Sequence, residues 1–430
     1  MLRVLFTLQK SVRVMRMDQY RRTKLACYAA YFTMSSIFCL PPLLFVTFHE
    51  MYGISYTLLG TLVLVNFCTQ LLVDLIFTVF AKHFNIQKVV RVMPLITSAG
   101  MMVYALVPLL APQAAYAGLV AGTVIFSVSA GLSEVLLSPV IAAIPSENPQ
   151  RDMSTLHSLY AFGVFTVVVV STLALKVIGN QNWMYLTMFW ALAPVAAAVL
   201  FMLSPMPAMD GGHGGENAAK AGGRTLGMVL CVACIFFGSC AENAMSNWIS
   251  SFMENALQID KALGDILGVA MFAVLLGFAR IGYARFGRHI TRVLLVGMIG
   301  AAACYLTAGL CSNPVIGLAA CALTGVFTAM LWPGSLIMME EKLPGMGVAA
   351  YALMAAGGDL GASVAPQLLG IVVDKVAASQ MTAHLSASLG FTAEQIGLKA
   401  GMLVCAVFPI IGAAVVLVIM KYFKKNRAAA

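Results

Sequence analysis

Acidic and amide side chains recur inside long apolar stretches of this chain. Asn66, Gln70 and Asp74 are spaced four residues apart, so on a helix they would share one slowly drifting face. Glu134 stands in AGLSEVLLSP, and Asp359 stands in the glycine-containing segment AAGGDLGASVAP. A charged group in a bilayer core costs several kcal/mol unless it faces water or a partner. These residues are therefore candidates for handling ions or solutes, although interhelical hydrogen bonds would also explain the stripe that begins at Asn66.

The acidic residues indicate proton exchange as the chemistry of this protein. Glu134 lies about ten residues, or about 15 Å at helical rise, from the cytoplasmic end of its stretch, which places it near the membrane midplane. Because burial disfavours a charged carboxylate, this group could carry a proton near neutral pH. His157 in LHSLYAFG changes charge in the same range and could relay protons or bond a solute hydroxyl. The predicted proton-coupling residues are Glu134, Asp74, His157 and Asp359; a structural ion pair and a packing histidine are the alternatives.

A dense polar patch, AENAMSNWISS, suits a hydroxylated solute. Amide groups of Asn243 and Asn247 can bond hydroxyls, and the Trp248 indole can pack on the apolar face of a sugar. A hydrated extracellular gate would have the same composition. Trp332-Pro333 predicts a kink in its own helix, since proline cannot donate a backbone hydrogen bond. The predicted solute contacts are Asn66, Gln70, Glu242, Asn243, Asn247, Trp248 and Trp332.

The elements that must position these residues are membrane spans. The 430-residue chain is 61% hydrophobic and 10% charged, whereas soluble domains are about 25% charged. A bilayer core about 30 Å thick needs about 20 helical residues to cross it, and twelve stretches meet that need. We predict an all-α membrane protein with spans at 24–48, 57–81, 89–110, 115–144, 153–177, 184–204, 225–253, 263–283, 292–311, 314–339, 346–374 and 398–421.

Basic residues cluster on one side of these spans. They dominate the loops after the second and eighth spans, the N-terminal segment and the C-terminal tail; the exceptions are Lys176, Lys261, Lys375 and Lys399. The positive-inside rule then places both termini in the cytoplasm. Because the net charge of +9 sits at helix ends, nucleic-acid binding is not expected. The predicted cytoplasmic gate residues are Lys82, Arg280, Arg285 and Arg288.

A glycine-rich stretch near the middle divides the chain into two halves. Phe48 and Glu50 recur as Phe252 and Glu254 at one offset, which indicates a parallel six-span repeat. Transporters built from such halves bind near the midplane between the repeats. The predicted parts are a basic cytoplasmic segment 1–23, a six-helix bundle 24–204, a cytoplasmic linker 205–224, a second six-helix bundle 225–421 and a basic cytoplasmic tail 422–430.

Motifs of soluble enzymes are missing from the sequence. It contains no Gly-x-x-x-x-Gly-Lys nucleotide loop, no clustered His/Cys set and no G-x-S-x-G or H-E-x-x-H hydrolase signal. The ten cysteines fall almost entirely in apolar stretches, which is typical of small buried side chains rather than a disulfide framework. We therefore expect neither an enzyme nor a cofactor or metal.

Four segments resemble the major facilitator superfamily, and within it bacterial permeases near the fucose-galactose-glucose proton symporter branch. They are GLSEVLLSP, LHSLYAFG, ENAMSNWISSF and GGDLGASVAP. The resemblance implies two pseudo-symmetric six-helix bundles that rock about a central site, with Glu134 as the match to the branch's proton-linked carboxylate. The chain departs from the superfamily's loop motif, having Ala81 and Ala284 at the Asp positions. It also lacks the carboxylate that the sugar symporters carry on span one, for which Asp74 could substitute.

Together these features predict a secondary transporter. The protein would be a monomer in the bacterial cytoplasmic membrane, moving a small polar solute, with a sugar as the first choice, together with protons. The 27 Met and 24 Phe residues would also suit a proton-driven exporter of drugs or hydrophobic metabolites. A non-transporting membrane sensor or scaffold is the third alternative.

Overall fold

Twelve helical spans, each long and apolar enough to cross a membrane, are present in the computed structural model. The structure describes residues 19–80, 83–146, 149–207, 225–344 and 348–428. The twelve predicted spans are thus confirmed. Spans one to six are built on the helices Arg21–Leu43, Tyr56–Phe80, Ile86–Leu110, Ala115–Ala143, Pro149–Ile178 and Trp183–Met202.

The later spans are more often interrupted. Spans seven and eight each contain a π-helical turn, Phe252–Ala256 and Asp265–Ala270, a feature that often marks functional positions. Spans seven to twelve are built on Thr225–Ser251, Met271–Phe286, Ile290–Leu310, Pro314–Thr328 with Leu331–Lys342, Val348–Ala377, and Ala393–Cys405 with Val407–Ala428.

Span ten breaks where its proline predicts. The helix stops at Thr328 and resumes at Leu331. Pro333 has no N–H to give to the carbonyl of Ala329 four residues earlier, so this carbonyl is left without its helical partner. The predicted kink is therefore present, and it frees one acceptor at membrane depth.

The helices pack into two compact units. Unit one comprises Met1–Leu40, Thr69–Val167 and Asn182–His213, and unit two comprises Pro41–Cys68, Val168–Gln181 and Gly214–Ala430. These units do not coincide with the predicted halves. The packing of a single conformation does not define which helices move together, so the division at the linker stays a prediction.

Glycines allow the helix backbones to approach closely inside each unit. In unit one, a Cβ on Gly100 would lie 2.5 Å from the backbone nitrogen of Phe126, so spans three and four touch there. In unit two, a Cβ on Gly361 would lie 2.3 Å from the carbonyl oxygen of Phe236. Span eleven therefore packs directly on the backbone of span seven, close to Asp359.

Replacing Gly361 with Ala should lower the free energy of unfolding by about 1–3 kcal/mol. The added methyl would meet a backbone carbonyl, which cannot swing aside as a side chain can. Thermal unfolding in detergent measures the effect. Gly282→Ala is the matched control, because nothing lies within 4 Å of a Cβ at that helical position; it should be neutral or slightly stabilising. Equal losses in the two variants would contradict the close contact at Gly361.

Candidate functional site

An acidic pair lies in unit one, on spans two and four. The carboxyl of Asp74 is close enough to Glu134 for the two to interact electrostatically. The two helices meet beside the pair, since a Cβ on Gly131 would lie 3.2 Å from the carbonyl oxygen of Gln70. Oδ1 of Asp74 is buried and has no hydrogen-bond partner among the described residues. Two neighbouring acids can share a proton more easily than both can ionise.

Glu134 lies deep among protein atoms but keeps an exposed side chain. Many protein atoms lie close around its carboxyl, yet they do not cover the side chain, which is exposed. A carboxyl that faced lipid would lack the first property, and one sealed in packing would lack the second. Acidic residues within membrane spans usually face the bundle interior or a water-filled cavity, and this combination fits such a placement.

The other polar residues predicted on span two are already occupied. Gln70 is 1% exposed and Asn66 is 7% exposed, and both residues interact with other groups. Contact with a solute would require these interactions to open. The side chain of His157 and the whole of Lys82 lie outside the described residues, so their predicted roles stay predictions.

A second constellation lies in unit two, where spans seven, eight and ten meet. Nη2 of Arg280 lies 3.4 Å from Oε1 of Glu242. Nε of Arg280 donates to the carbonyl oxygen of Ala329 at 2.9 Å, the acceptor that Pro333 leaves free. Arg280 was predicted as a cytoplasmic gate residue, a role that stays a prediction; the structure pairs it with Glu242.

The amides of span seven point along their own helix. Nδ2 of Asn243 donates to the carbonyl oxygen and to the hydroxyl of Ser239, at 3.1 and 3.2 Å. Nδ2 of Asn247 donates to the carbonyl oxygen of Asn243 at 2.9 Å. Their NH₂ groups are thus engaged locally, and the amide oxygens are what they can offer to a solute.

The two predicted tryptophans differ in access. Trp248 is fully buried; its Nε1 donates to the carbonyl oxygen of Pro366 at 3.0 Å, so a solute could reach it only in another conformation. Trp332 is half-buried and packs on span eleven, where a Cβ on Gly358 would lie 2.3 Å from its ring. Asp359, the next residue, is 5% exposed and interacts with other residues.

A buried ionic cluster lies at the side of the spans where span one ends, which we call the distal side. Lys261 is its centre: Nζ lies 3.2 Å from Oε2 of Glu254 and 3.7 Å from Oδ2 of Asp265. The same ammonium donates to the carbonyl oxygen of Leu43 at 2.9 Å. The end of span one is thereby tied to the start of span eight.

Asp265 extends this distal cluster. It is 1% exposed and accepts hydrogen bonds from Ser250 Oγ at 2.5 Å and from Thr172 Oγ1 at 3.2 Å. An open cavity of about 240 Å³ borders it, lined also by Lys176 and Asn180. Sequence reasoning missed the cluster and treated Lys261 only as an exception to the charge rule. The signal available was the spacing of four between Lys261 and Asp265, which places opposite charges one helical turn apart.

A carboxylate on span eleven caps span two at the same distal side. Asp374 accepts from the backbone N–H groups of Tyr56 and Thr57 at 3.1 and 2.6 Å, which suits the positive end of a helix dipole. Asn255 donates to the hydroxyl of Tyr56 at 2.8 Å and to Glu394 at 2.7 Å. Unit two therefore joins the distal ends of spans one, two and five to spans from the second half of the chain.

Unit one contains an ion pair that sequence reasoning also missed. Nζ of Lys24, at the start of span one, lies 2.5 Å from Oδ2 of Asp152 in span five. Ser146 donates to the same carboxylate oxygen. Arg285, in the last turn of span eight, and Arg288, just after that helix, are exposed, and their predicted gate role stays a prediction.

The twelve-span helical fold defines a class of polytopic membrane protein, and comparison with known proteins identifies it. The family profile described as Major Facilitator Superfamily matches residues 25–366. The chain belongs to this superfamily, as its sequence motifs predicted. No curated protein matches the chain by sequence.

Several solved structures share the fold at low identity. A bacterial homolog of the human lysosomal transporter Spinster, in an inward-facing and occupied conformation, is 13% identical with a TM-score of 0.77, covering 95% of this chain and 98% of that one. A D-xylose–proton symporter is 12% identical with a TM-score of 0.72, covering 91% and 97%. The E. coli fucose:proton symporter is 14% identical with a TM-score of 0.55, covering 92% and 98%. These likenesses support the fold.

Proposed function

We propose that this protein is a proton-coupled secondary transporter of a small polar solute. The carrying observation is that Glu134 lies deep among protein atoms but keeps an exposed side chain, within electrostatic range of a second acid, Asp74. A proton taken up by this pair from one side and released to the other would drive a solute through the same conformational cycle. Two of the structural neighbours are described as proton symporters of xylose and fucose, which supports coupling to protons.

The contacts at the distal side support the conformational change that this proposal requires. Alternating access needs bonds that close one side and break when that side opens. Lys261, Asp265 and Asp374 link segments from both halves of the chain at the distal side. With the termini in the cytoplasm, as the charge distribution predicts, the distal side is extracellular, and this structure would represent a state closed to the outside. We place the monomer in the bacterial cytoplasmic membrane.

Proteoliposomes containing a pH-sensitive dye test the proposal. Adding the transported solute outside should acidify the lumen, and an imposed inward proton gradient should accumulate the solute above its external concentration. Liposomes without the protein are the control. Competition by hydrophobic cations but not by polar solutes would favour the exporter alternative. Solute movement with no proton movement would contradict coupling.

A further inference from the structure

The side chain of Arg280 is partly exposed within the span-eight helix. Arg280 lies six residues before the end of the span-eight helix at Phe286, or about 9 Å along the axis. Its side chain is 38% exposed. Of the five N–H donors of a guanidinium, one on Nε and one on Nη2 have partners among the described residues. The guanidinium therefore retains N–H donors that no described residue accepts.

The position of Arg280 is set by a backbone defect. Pro333 removes the N–H that would have bonded to Ala329, and Nε of Arg280 takes that carbonyl at 2.9 Å. This bond orients the guanidinium without using the two terminal nitrogens. Those two nitrogens form the fork that recognises a carboxylate or a phosphate in bidentate geometry.

The ion pair with Glu242 is incomplete. A strong guanidinium–carboxylate pair uses both oxygens at about 2.7–2.9 Å, whereas the single contact here is 3.4 Å long. Oε2 of Glu242 is buried and has no hydrogen-bond partner among the described residues. Glu242 is also the less exposed partner, at 20% against 38% for Arg280. Arg280 is therefore the more accessible member of the pair.

We propose that Arg280 binds the anionic group of the solute, so that the protein transports a small organic anion, a carboxylate or a phosphate ester, rather than a neutral sugar. This inference rests on the proposed transport function and names its substrate class. The anion would bind to the terminal nitrogens of Arg280, which Glu242 contacts only once and at a long distance. The bond to Ala329 would keep the guanidinium in place. The half-buried Trp332, one turn beyond Ala329, offers an apolar surface for the rest of the solute.

Matched pairs of solutes test the charge requirement. Purified protein is screened by thermal shift against glucuronate with glucuronamide, lactate with lactamide, benzoate with benzamide, and glycerol 3-phosphate with glycerol, and each stabilising solute is then tested for uptake by proteoliposomes. A ligand that binds only the folded protein raises its apparent stability. We expect stabilisation from charged members and not from their neutral analogues. The carboxylate and phosphate pairs show which anion is preferred.

Variants then assign the effect to Arg280. Arg280→Gln should weaken binding of the stabilising anion by at least about tenfold, the loss expected when a charged hydrogen bond is removed. Arg292→Gln, at an exposed arginine near the start of span nine, should leave it unchanged. Glu242→Gln should preserve or tighten anion binding because a competitor is removed. A purely structural ion pair would instead make both Arg280→Gln and Glu242→Gln lose binding.

A conservative variant covers the case in which Arg280→Gln does not fold. Lysine keeps the charge but not the fork, so Arg280→Lys should still weaken anion binding by about tenfold. Unchanged affinity in the folded Arg280 variant, or equal stabilisation by neutral and charged members, would overturn the anion assignment and leave transport standing. No stabilisation and no uptake with any pair would overturn the proposed function, and the anion assignment with it.

Discussion

Replacing Glu134 with Gln is expected to reduce solute-driven proton uptake about 100-fold, the lower end of the usual cost of removing a proton-transfer group. Glutamine keeps the shape and polarity of the side chain but cannot carry a proton. Because Asp74 lies within electrostatic range of Glu134, Asp74→Asn should also reduce coupling, but by less. The measurement is lumenal acidification of proteoliposomes after solute addition, with solute uptake recorded in parallel.

The control for this experiment is an acid outside the pair. Glu341 is 51% exposed near the end of span ten, and Glu341→Gln should retain normal uptake. Downhill solute exchange should survive in Glu134→Gln even though proton movement is lost, since the proposed solute contacts are intact. Full proton-coupled uptake by Glu134→Gln would remove this carboxyl from the mechanism.

Replacing Lys261 with Met is expected to lower the free energy of unfolding by about 3–5 kcal/mol, the usual cost of breaking a buried ion pair from one side. Asp265 is 1% exposed, so its carboxylate would be left buried without its cation. The double variant Lys261→Met/Asp265→Asn should recover most of this loss, because no uncompensated charge remains at Asp265. Thermal unfolding of both single variants, Lys261→Met and Asp265→Asn, and of the double variant gives the coupling between the two residues.

A lysine on the same side provides the matched control. Lys375 is exposed at the distal end of span eleven, and Lys375→Met should change stability by no more than about 0.5 kcal/mol. If Lys261→Met were equally mild, or if the double variant were no more stable than the single one, the cluster would not be a stabilising closure. A recovered double variant that transports faster than the unmodified protein would indicate that opening the distal side limits the cycle.

Rules that apply within one segment of sequence were sufficient to predict much of this protein's structure. The number of spans follows from hydropathy, since each span must satisfy its own backbone hydrogen bonds in lipid. The break in span ten follows from Pro333 and the geometry of one helical turn. The stripe Asn66, Gln70 and Asp74 lies on one helix, as predicted by its spacing.

Contacts between residues far apart in the sequence could not be predicted from such local rules. Lys24 meets Asp152 across 128 residues and Lys261 meets the carbonyl of Leu43 across 218 residues. Nothing in either local segment specifies the other, because helix packing brings them together. Trp248 shows that a local pattern can also mislead. Its indole, beside two amides, suggested a solute contact, but its Nε1 donates to the carbonyl oxygen of Pro366, 118 residues away.

The amino-acid sequence alone determined that the chain is a twelve-span helical membrane protein, that span ten is broken and that rare acids lie within the spans. Each of these is set within one helix, by hydropathy, by proline or by spacing. The tertiary structure alone decided which of those groups have partners: Glu134 beside Asp74, Arg280 shared between Glu242 and the carbonyl freed by Pro333, and Lys261 at the centre of a buried ionic cluster. The meaning of a buried charge depends on what lies within a few ångströms of it, and that distance is set by the packing of helices that are far apart in the chain.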